Sequence, residues 1–127
     1  MARFCDQVEP DIGIRDFLAL IRKRLRCSKE CFILALIFID RVVEASDIVI
    51  SNLTVHRLLL TGVLIASKVI DDKGEDNASY AAVGGLTTRE LNRLEASFLD
   101  QLQWRLHVRQ QDYEWYRELA CRVVSAA

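Results

Sequence analysis

The sequence predicts an all-α domain made of five main helices and a C-terminal helix. Three observations lead to this prediction. Apolar residues recur at helical spacing along most of the 127-residue chain. Only one proline and five glycines are present, which leaves little room for long loops or β-turns. Side chains that can cap helices precede several of the apolar segments.

The first two helices are predicted from residues 12–26 and from the segment that follows Ser28. Residues 12–26 alternate apolar and charged side chains at helical spacing, as in an amphipathic helix. Ser28 is suited to cap the second helix, and Glu30 lies in its first turn, where a negative charge suits the dipole. Residues 31–39 are apolar on every face, so we expect this second helix to be the central one. It should end between residues 43 and 46.

The third helix is predicted to begin at residues 51–54 and to run to about Ile70. Gly62 and Ala66 lie four residues apart on one of its faces, where small side chains let another helix approach closely. A glycine in a helix interior costs about 1 kcal/mol relative to alanine, so a close packing contact is the expected compensation.

The last helices are marked by caps. Asn77 can cap a short fourth helix over residues 78–83, which Gly84 or Gly85 would end by adopting a left-handed conformation. Thr87 and Glu90 have the spacing of a capping box and open the fifth helix. Residues 104–108 are predicted to be irregular, and a terminal helix follows them.

Composition limits the classes of function. The 51% hydrophobic content indicates either a surface for a partner or a dense helical core. A net charge of −1 and a pI near 6.1 provide no general attraction for nucleic acid. The longest apolar run, residues 31–39, is shorter than the roughly 20 residues that span a bilayer, and the N-terminus lacks the apolar core of a signal peptide. We expect no membrane association and a cytoplasmic and/or nuclear location.

Neither metal binding nor catalysis is indicated. The cysteines form no Cys-x-x-Cys pair and no histidine is near them in sequence, so we expect four reduced, metal-free thiols. There is no glycine-rich phosphate loop, no nucleophile with a nearby base and no recognisable carboxylate pair. We therefore expect no catalytic residues, no cofactor and no small-molecule ligand, in a protein that is not an enzyme. The cysteines are Cys5, Cys27, Cys31 and Cys121.

Two charges interrupt the predicted apolar faces. Lys68 is the one charge between Leu58 and Ile70, and lysine is rarely buried unless it is paired. Glu95 falls on the helical face of Leu91 and its apolar neighbours, where the pattern favours a leucine. These two residues either pair at the rim of the core or belong to an interface, and the pattern alone leaves both alternatives open.

Two charge clusters also have two interpretations. Asp71 and Asp72 follow a helix end, where a negative charge is unfavourable, and Glu75 and Asp76 extend the acidic cluster. This cluster is either a solvated loop or a contact for a basic partner. The basic residues within 22–26 are either a solvated helix end or a phosphate contact, and the near-neutral chain favours the former.

Several linked segments occur in a fixed order: ECFILALIFIDR at 30–41, VHRLLLT at 55–61, ASK at 66–68, Asp71-Asp72, Asn77, Tyr80-Ala81, VGG at 83–85 and ELNRLE at 90–95. Together they resemble the cyclin box. The resemblance covers residues 12–108 and is strongest to single-box P/U-type cyclins related to the yeast phosphate-responsive cyclin. It implies a cyclin box of five helices around a central hydrophobic helix over residues 12–108, an N-terminal segment over 1–11 and a C-terminal helical extension over 109–127.

The resemblance implies a protein that binds and activates a cyclin-dependent kinase. In that family a lysine at the position of Lys68 and a glutamate at the position of Glu95 contact the kinase beside its mobile regulatory helix. We expect the kinase-binding surface to comprise Lys68, Glu95, Leu64, Phe98, Asp71 and Asp72. Structural roles are expected for Asp40, Gly62, Ala66, Gly84 and Gly85.

The sequence also departs from the cell-cycle cyclins. Its first helix lacks their docking motif, so the resemblance does not extend to recognition of Arg-x-Leu substrates. Asp11 stands about where those cyclins place an arginine that pairs with the aspartate matching Asp40. We therefore expect either Arg15 or backbone amides to satisfy Asp40. No second box follows, as expected for the P/U type.

Two other classes of function remain open. A cyclin-fold scaffold could bind a protein other than a kinase, because a fold does not determine function. A cyclin-like domain of the transcription-initiation type could bind nucleic acid, although the pI and the lack of a broad basic face count against it.

Overall fold

The computed structural model describes residues 13–47, 54–70 and 75–126, and its described part is helical throughout apart from short connections. These residues contain no strand, which confirms the predicted all-α class. None of the described helices is long and apolar enough to cross a membrane. The helices are α1 (Ile14–Leu25), α2 (Lys29–Ala45), α3 (Val55–Ile70), α4 (Asn77–Gly84), α5 (Thr88–Leu102) and α6 (Gln110–Ala126).

Two of the predicted helix starts are confirmed by their capping hydrogen bonds. The hydroxyl of Ser28 accepts a hydrogen bond from the backbone N–H of Cys31 at the start of α2. Thr87 and Glu90 form a complete capping box at the start of α5, with bonds of 3.1 and 3.0 Å. Each bond satisfies a donor that the first helical turn would otherwise leave unpaired.

The predicted cap of α4 is wrong by one residue. Asp76, not Asn77, has the extended backbone of a cap, and its carboxylate accepts from the N–H of Ser79 at 2.9 Å. Asn77 is the first helical residue, and its side chain points to α5 instead. At the other end the left-handed residue is Gly85, with φ +67°, as one of the two predicted alternatives.

The centre of the core is α3, and the prediction that α2 would occupy it is wrong. Residues 58–67 are all buried, because α1, α2, α4 and α5 pack against α3. α2 is apolar on every face in its middle, yet it leaves Leu36 39% exposed. The presence of apolar residues on every face of a helix therefore did not identify the central helix, because apolar residues also occur at the protein surface.

The predicted close approach at Gly62 is confirmed. A Cβ atom at this position would lie 3.0 Å from Cγ1 of Ile39, so α2 packs directly over the glycine. Ala66 is fully buried one turn later. Gly84 has a similar role at the end of α4, where a Cβ atom would clash with Cδ2 of Leu60.

Polar side chains of α2 hold the segment between α5 and α6. Residues 105–109 are irregular, in agreement with the prediction. Nη1 of Arg41 donates to the carbonyl oxygens of Arg105 and His107, at 2.7 and 2.9 Å. The hydroxyl of Tyr116, on α6, donates to Oδ2 of Asp40 at 2.7 Å.

The expected partners of Asp40 were therefore wrong. Arg15 belongs to α1, which packs against α3 and α4, whereas the hydrogen bond to Asp40 comes from α6 through Tyr116. A sequence pattern cannot show that α6 returns across α2. The division of the chain at residues 108 and 109 stays a prediction.

Candidate functional site

A polar cluster lies where the end of α3 meets α5. Nζ of Lys68 is 2.6 Å from Oε2 of Glu95. The Lys68 side chain is 49% exposed, whereas that of Glu95 is only 15% exposed. The two charges that interrupt the predicted apolar faces therefore form an ion pair at the rim of the core. Pairing by itself does not decide whether they also form part of an interface.

Two asparagines complete this cluster. Nδ2 of Asn77 donates to Oε1 of Glu95 at 3.0 Å and to Oδ1 of Asn92 at 2.7 Å. The Glu95 carboxylate is thus held at both of its oxygens by side chains from two different helices. We refer to Lys68, Asn77, Asn92 and Glu95 as the rim cluster. Asn77 was predicted only as a helix cap, and Asn92 had no predicted role in the site, although Asn92 and Glu95 are three residues apart on α5 and so share a face.

The helical positions of these residues explain the partial exposure of the cluster. On α5 the buried stripe consists of Leu91, Leu94, Phe98 and Leu102, and Glu95 lies at its edge. On α3 the buried run ends at Ser67, and the helix leaves the core over its last three residues. Val69 and Ile70, the last two residues of α3, are 44% and 42% exposed, so apolar surface follows Lys68 along the helix. Sequence periodicity did not single out these two residues.

The two apolar residues that were predicted to contact the kinase, Leu64 and Phe98, lie in the core and not at the surface. Leu64 and Phe98 are both fully buried, so neither reaches the surface of this chain. This is a correction to their expected role as direct kinase contacts: both side chains belong to the hydrophobic core. Leu99 is a partly buried residue one turn beyond Glu95, and a helix places residues four apart on one face. Asp71 and Asp72 lie outside the described residues.

The cysteines and histidines that the structure describes do not form a metal site. Among the described residues no group of three or more histidine, cysteine or acidic side chains could hold a metal ion. Sγ of Cys27 lies 3.5 Å from the hydroxyl of Tyr80, and the thiol of Cys31 donates to the carbonyl of Val63 at 3.5 Å. Burial, chiefly, raises the pKa of Tyr80 well above its ordinary value. The reduced, metal-free state of all four thiols stays a prediction.

A groove of about 820 Å³ lies at the end of α3, where Val69 and Ile70 line it. It is bounded by the first turns of α2, by the irregular segment before α6, and by α6 itself. Its lining is mostly apolar, and sequence analysis did not identify it. The lining residues are Glu30, Leu34, Val69, Ile70, Leu106, His107, Val108, Gln110, Tyr113 and Arg117.

Comparison with known proteins identifies the family. The profile of the family described as Cyclin matches residues 1–106. This chain belongs to the cyclin family. It is 45% identical over 104 residues to Cyclin-U3-1 of Arabidopsis thaliana, covering 82% of this chain and 47% of that protein. It is 44% identical over 99 residues to Cyclin-P3-1 of Oryza sativa subsp. japonica, covering 78% of this chain and 42% of that protein.

The resemblance to P/U-type cyclins is therefore confirmed. Cyclin-U4-2 of Arabidopsis thaliana is 38% identical over 122 residues, covering 91% of this chain and 56% of that protein. The chain spans about half the length of the curated relatives it matches. Membership in the cyclin family favours a regulatory role over an enzymatic one.

Proposed function

We propose that this cyclin binds and activates a cyclin-dependent kinase by stabilising the kinase's active arrangement. The observation that carries the proposal is the Lys68–Glu95 ion pair, which lies at the rim of the core and is followed along α3 by the exposed Val69 and Ile70. Charged side chains next to apolar surface are typical of an interface whose centre becomes desolvated. Membership in the cyclin family supports the choice of a kinase as the partner.

Activation follows from selective binding. A protein kinase needs a lysine–glutamate pair and an ordered activation segment before it holds ATP productively. A cyclin that binds only the kinase conformation with these parts in place increases the population of that conformation. A change from 1:99 to 99:1 requires about 5.5 kcal/mol of differential binding. An interface of standard size is sufficient for this if it contains a few strongly contributing residues.

The proposed kinase surface consists of the rim cluster and its apolar border. Val69 and Ile70 extend it along α3, and Leu99 extends it along α5. Leu64 and Phe98 fix the positions of the two helices from beneath. In this arrangement the charged groups orient the kinase, and the apolar border contributes most of the area removed from water.

The proposal is tested with variants of the ion pair. Lys68→Ala and Glu95→Gln should each weaken kinase binding by roughly 2–5 kcal/mol, the usual effect of leaving a charged partner unpaired in an interface. Because Lys68 is half-exposed, its truncation should leave the melting temperature nearly unchanged. Arg93→Ala is the matched control, since Arg93 is an exposed charge on another face of α5. Melting curves and kinase affinities are measured for each variant.

The double variant distinguishes one contact cluster from two independent contacts. Because Lys68 and Glu95 serve the same cluster, the combined loss of affinity should be smaller than the sum of the two single losses. A large decrease in melting temperature with normal kinase affinity would instead assign both residues to the fold alone.

The kinase for these measurements is identified by affinity capture from lysate followed by mass spectrometry. The wild-type chain and the Lys68→Ala variant are used as paired baits. A cyclin-dependent kinase recovered by the wild type and depleted from the variant supports the proposal. Recovery of another class of protein, or a salt-sensitive shift of DNA mobility, would support the scaffold or nucleic-acid alternative.

The acidic pair after α3 gives a second test. We propose that Asp71 and Asp72 lie near basic residues of the kinase activation segment. Reversing both to lysine should lower the kinase affinity, and more so at low ionic strength, where charges on the surface are less screened. Unchanged kinase affinity at low ionic strength would favour the alternative, in which Asp71 and Asp72 belong to a solvated loop.

A further inference from the structure

The side chain of Asn77 connects α4 to Glu95, a residue of the proposed kinase surface. Both hydrogens of its amide nitrogen are used, one by Asn92 and one by Oε1 of Glu95. Oε2 of Glu95 is left to Lys68. The two oxygens of the Glu95 carboxylate therefore have different partners. The bond from Asn77 to Oε1 is partly buried, and the bond from Lys68 to Oε2 is exposed.

We propose that Asn77 is a positioning residue, which holds Glu95 in place while Lys68 exchanges Glu95 for an acceptor on the kinase. This inference rests on the proposed function. Lys68 is half-exposed on a flexible stem, so its ammonium group can turn to a carbonyl or carboxylate oxygen of the partner. Oε2 of Glu95 then becomes available to an N–H donor of the kinase.

The burial of Glu95 explains why this exchange needs Asn77. The Glu95 side chain is only 15% exposed, and a largely buried carboxylate is costly unless donors satisfy it. If Lys68 were its sole donor, separating the pair during docking would leave the charge poorly satisfied. The charge-assisted bond from Asn77 persists through the exchange and limits that loss.

The cap of α4 is a separate contact from the bonds that Asn77 makes to α5. Asp76 caps the helix through the N–H and the hydroxyl of Ser79, each at 2.9 Å. Asn77 is the next residue, and α4 packs against α5. Asp76 therefore offers a matched control, because its removal weakens the start of α4 without removing a donor from Glu95.

The test compares Asn77→Ala with Asp76→Ala in kinase affinity and in thermal melting. Asn77→Ala should lower the kinase affinity about tenfold. Asp76→Ala should lower the melting temperature while its kinase affinity stays within twofold of the wild type. In a Glu95→Gln background, Asn77→Ala should have little further effect on affinity, because the charge that Asn77 holds is already absent.

A measurement on the unbound protein tests the contact directly. In an amide nuclear magnetic resonance spectrum, the side-chain NH₂ signals of Asn77 should shift in Glu95→Gln, because this change removes the charge from the acceptor of one of its hydrogen bonds. Signals that are insensitive to Glu95→Gln would contradict the positioning role.

The outcomes separate this inference from the proposed function. If Glu95→Gln weakens kinase binding and Asn77→Ala does not, the inference is wrong and the proposed function stands. If Asp76→Ala loses as much affinity as Asn77→Ala, the effect belongs to the stability of α4 and the inference is again wrong. If Lys68→Ala and Glu95→Gln both bind normally, the proposed function fails and the positioning role fails with it.

Discussion

Residues in the left-handed region follow three of the helices. Arg26 ends α1 with φ 52°, Gly85 ends α4 with φ +67°, and Gln103 ends α5 with φ 57°. The N–H groups of Gly85 and Gln103 bond to carbonyls of the last helical turn, which would otherwise lack partners. Glycine adopts this conformation without the steric conflict that a Cβ atom introduces. The same backbone geometry is therefore less strained at Gly85 than at Gln103.

We predict opposite effects for two exchanges at these caps. Gly85→Ala should lower the free energy of unfolding by about 1 kcal/mol. The space around its new Cβ is open, so the loss would report backbone strain alone. Gln103→Gly should raise the free energy of unfolding by up to about 1 kcal/mol, because the strain is relieved. Urea unfolding of both variants provides the measurement, and effects of the same sign would contradict the explanation.

At the scale of an element, α6 is attached to α2 by polar contacts as well as by packing. Tyr116 bonds to Asp40, and the neighbouring Arg41 holds the two carbonyls before α6. Trp115 and Leu119 of α6 stay exposed, so these two apolar side chains contribute little to holding the helix. Hydrogen bonds to charged groups have correspondingly more influence on where α6 lies.

The Tyr116 contact should depend on pH. Burial, together with the bond to Asp40 and its charge, raises the pKa of Tyr116 to about 12. Because the folded pKa exceeds the ordinary value of 10, the contribution of the neutral hydroxyl is complete below pH 10. It is lost as the pH rises from 10 through 12.

Tyr116→Phe provides the comparison. The wild type should be more stable than this variant by a constant margin between pH 7 and 9. The margin should shrink between pH 10 and 12, as measured by urea unfolding at each pH. Other tyrosines titrate equally in both proteins, so they do not affect the difference. A margin that stays constant to pH 12 would contradict the raised pKa of Tyr116.

At the scale of the whole molecule, the core and the proposed kinase surface are separate layers on the same two helices. Leu64 on α3 and Phe98 on α5 are fully buried, whereas Lys68 and Glu95 are one turn away at the rim. The packing between α3 and α5 therefore determines where the rim cluster lies. Changes in the core and changes at the rim should have different consequences.

We predict that truncations in the core affect stability and not the affinity of the folded protein. Leu64→Ala should lower the free energy of unfolding by about 2–5 kcal/mol, and Phe98→Ala by about 3–5 kcal/mol, because each leaves a cavity. Kinase binding by the folded fraction should stay close to that of the wild type at a temperature where the variants are folded. Calorimetric melts and titrations with kinase provide the two measurements. A loss of kinase affinity in the folded variants would instead indicate that Leu64 and Phe98 take part in kinase binding.

Much of the fold follows from local signals. The apolar spacing of residues 12–26, the cap at Ser28 and the capping box at Thr87 depend on neighbours three or four residues away, so a one-dimensional pattern contains them. Gly85 is a similar case, because glycine is the usual residue for a left-handed cap. Gln103 carries no such signal, and its conformation could not be predicted.

The candidate site could be predicted in part for the same reason. Lys68 and Glu95 were identifiable because each interrupts an apolar face that is visible in sequence. Asn77 was predicted to be a cap, and its bonds to α5 could not be predicted. Those bonds depend on how α4 packs against α5 and not on the residues next to Asn77 in sequence.

By itself, the sequence determined the helical class, the helix limits to within a few residues, and the two charges at the rim of the core. Those features arise from interactions within single helices. Tertiary packing decided that α3 is central, that Tyr116 satisfies Asp40, and that Asn77 shares Glu95 with Lys68. It also placed Leu64 and Phe98 beneath the surface. The physical reason is that burial and partners between helices depend on the crossing of several segments, which the pattern of one helix does not contain.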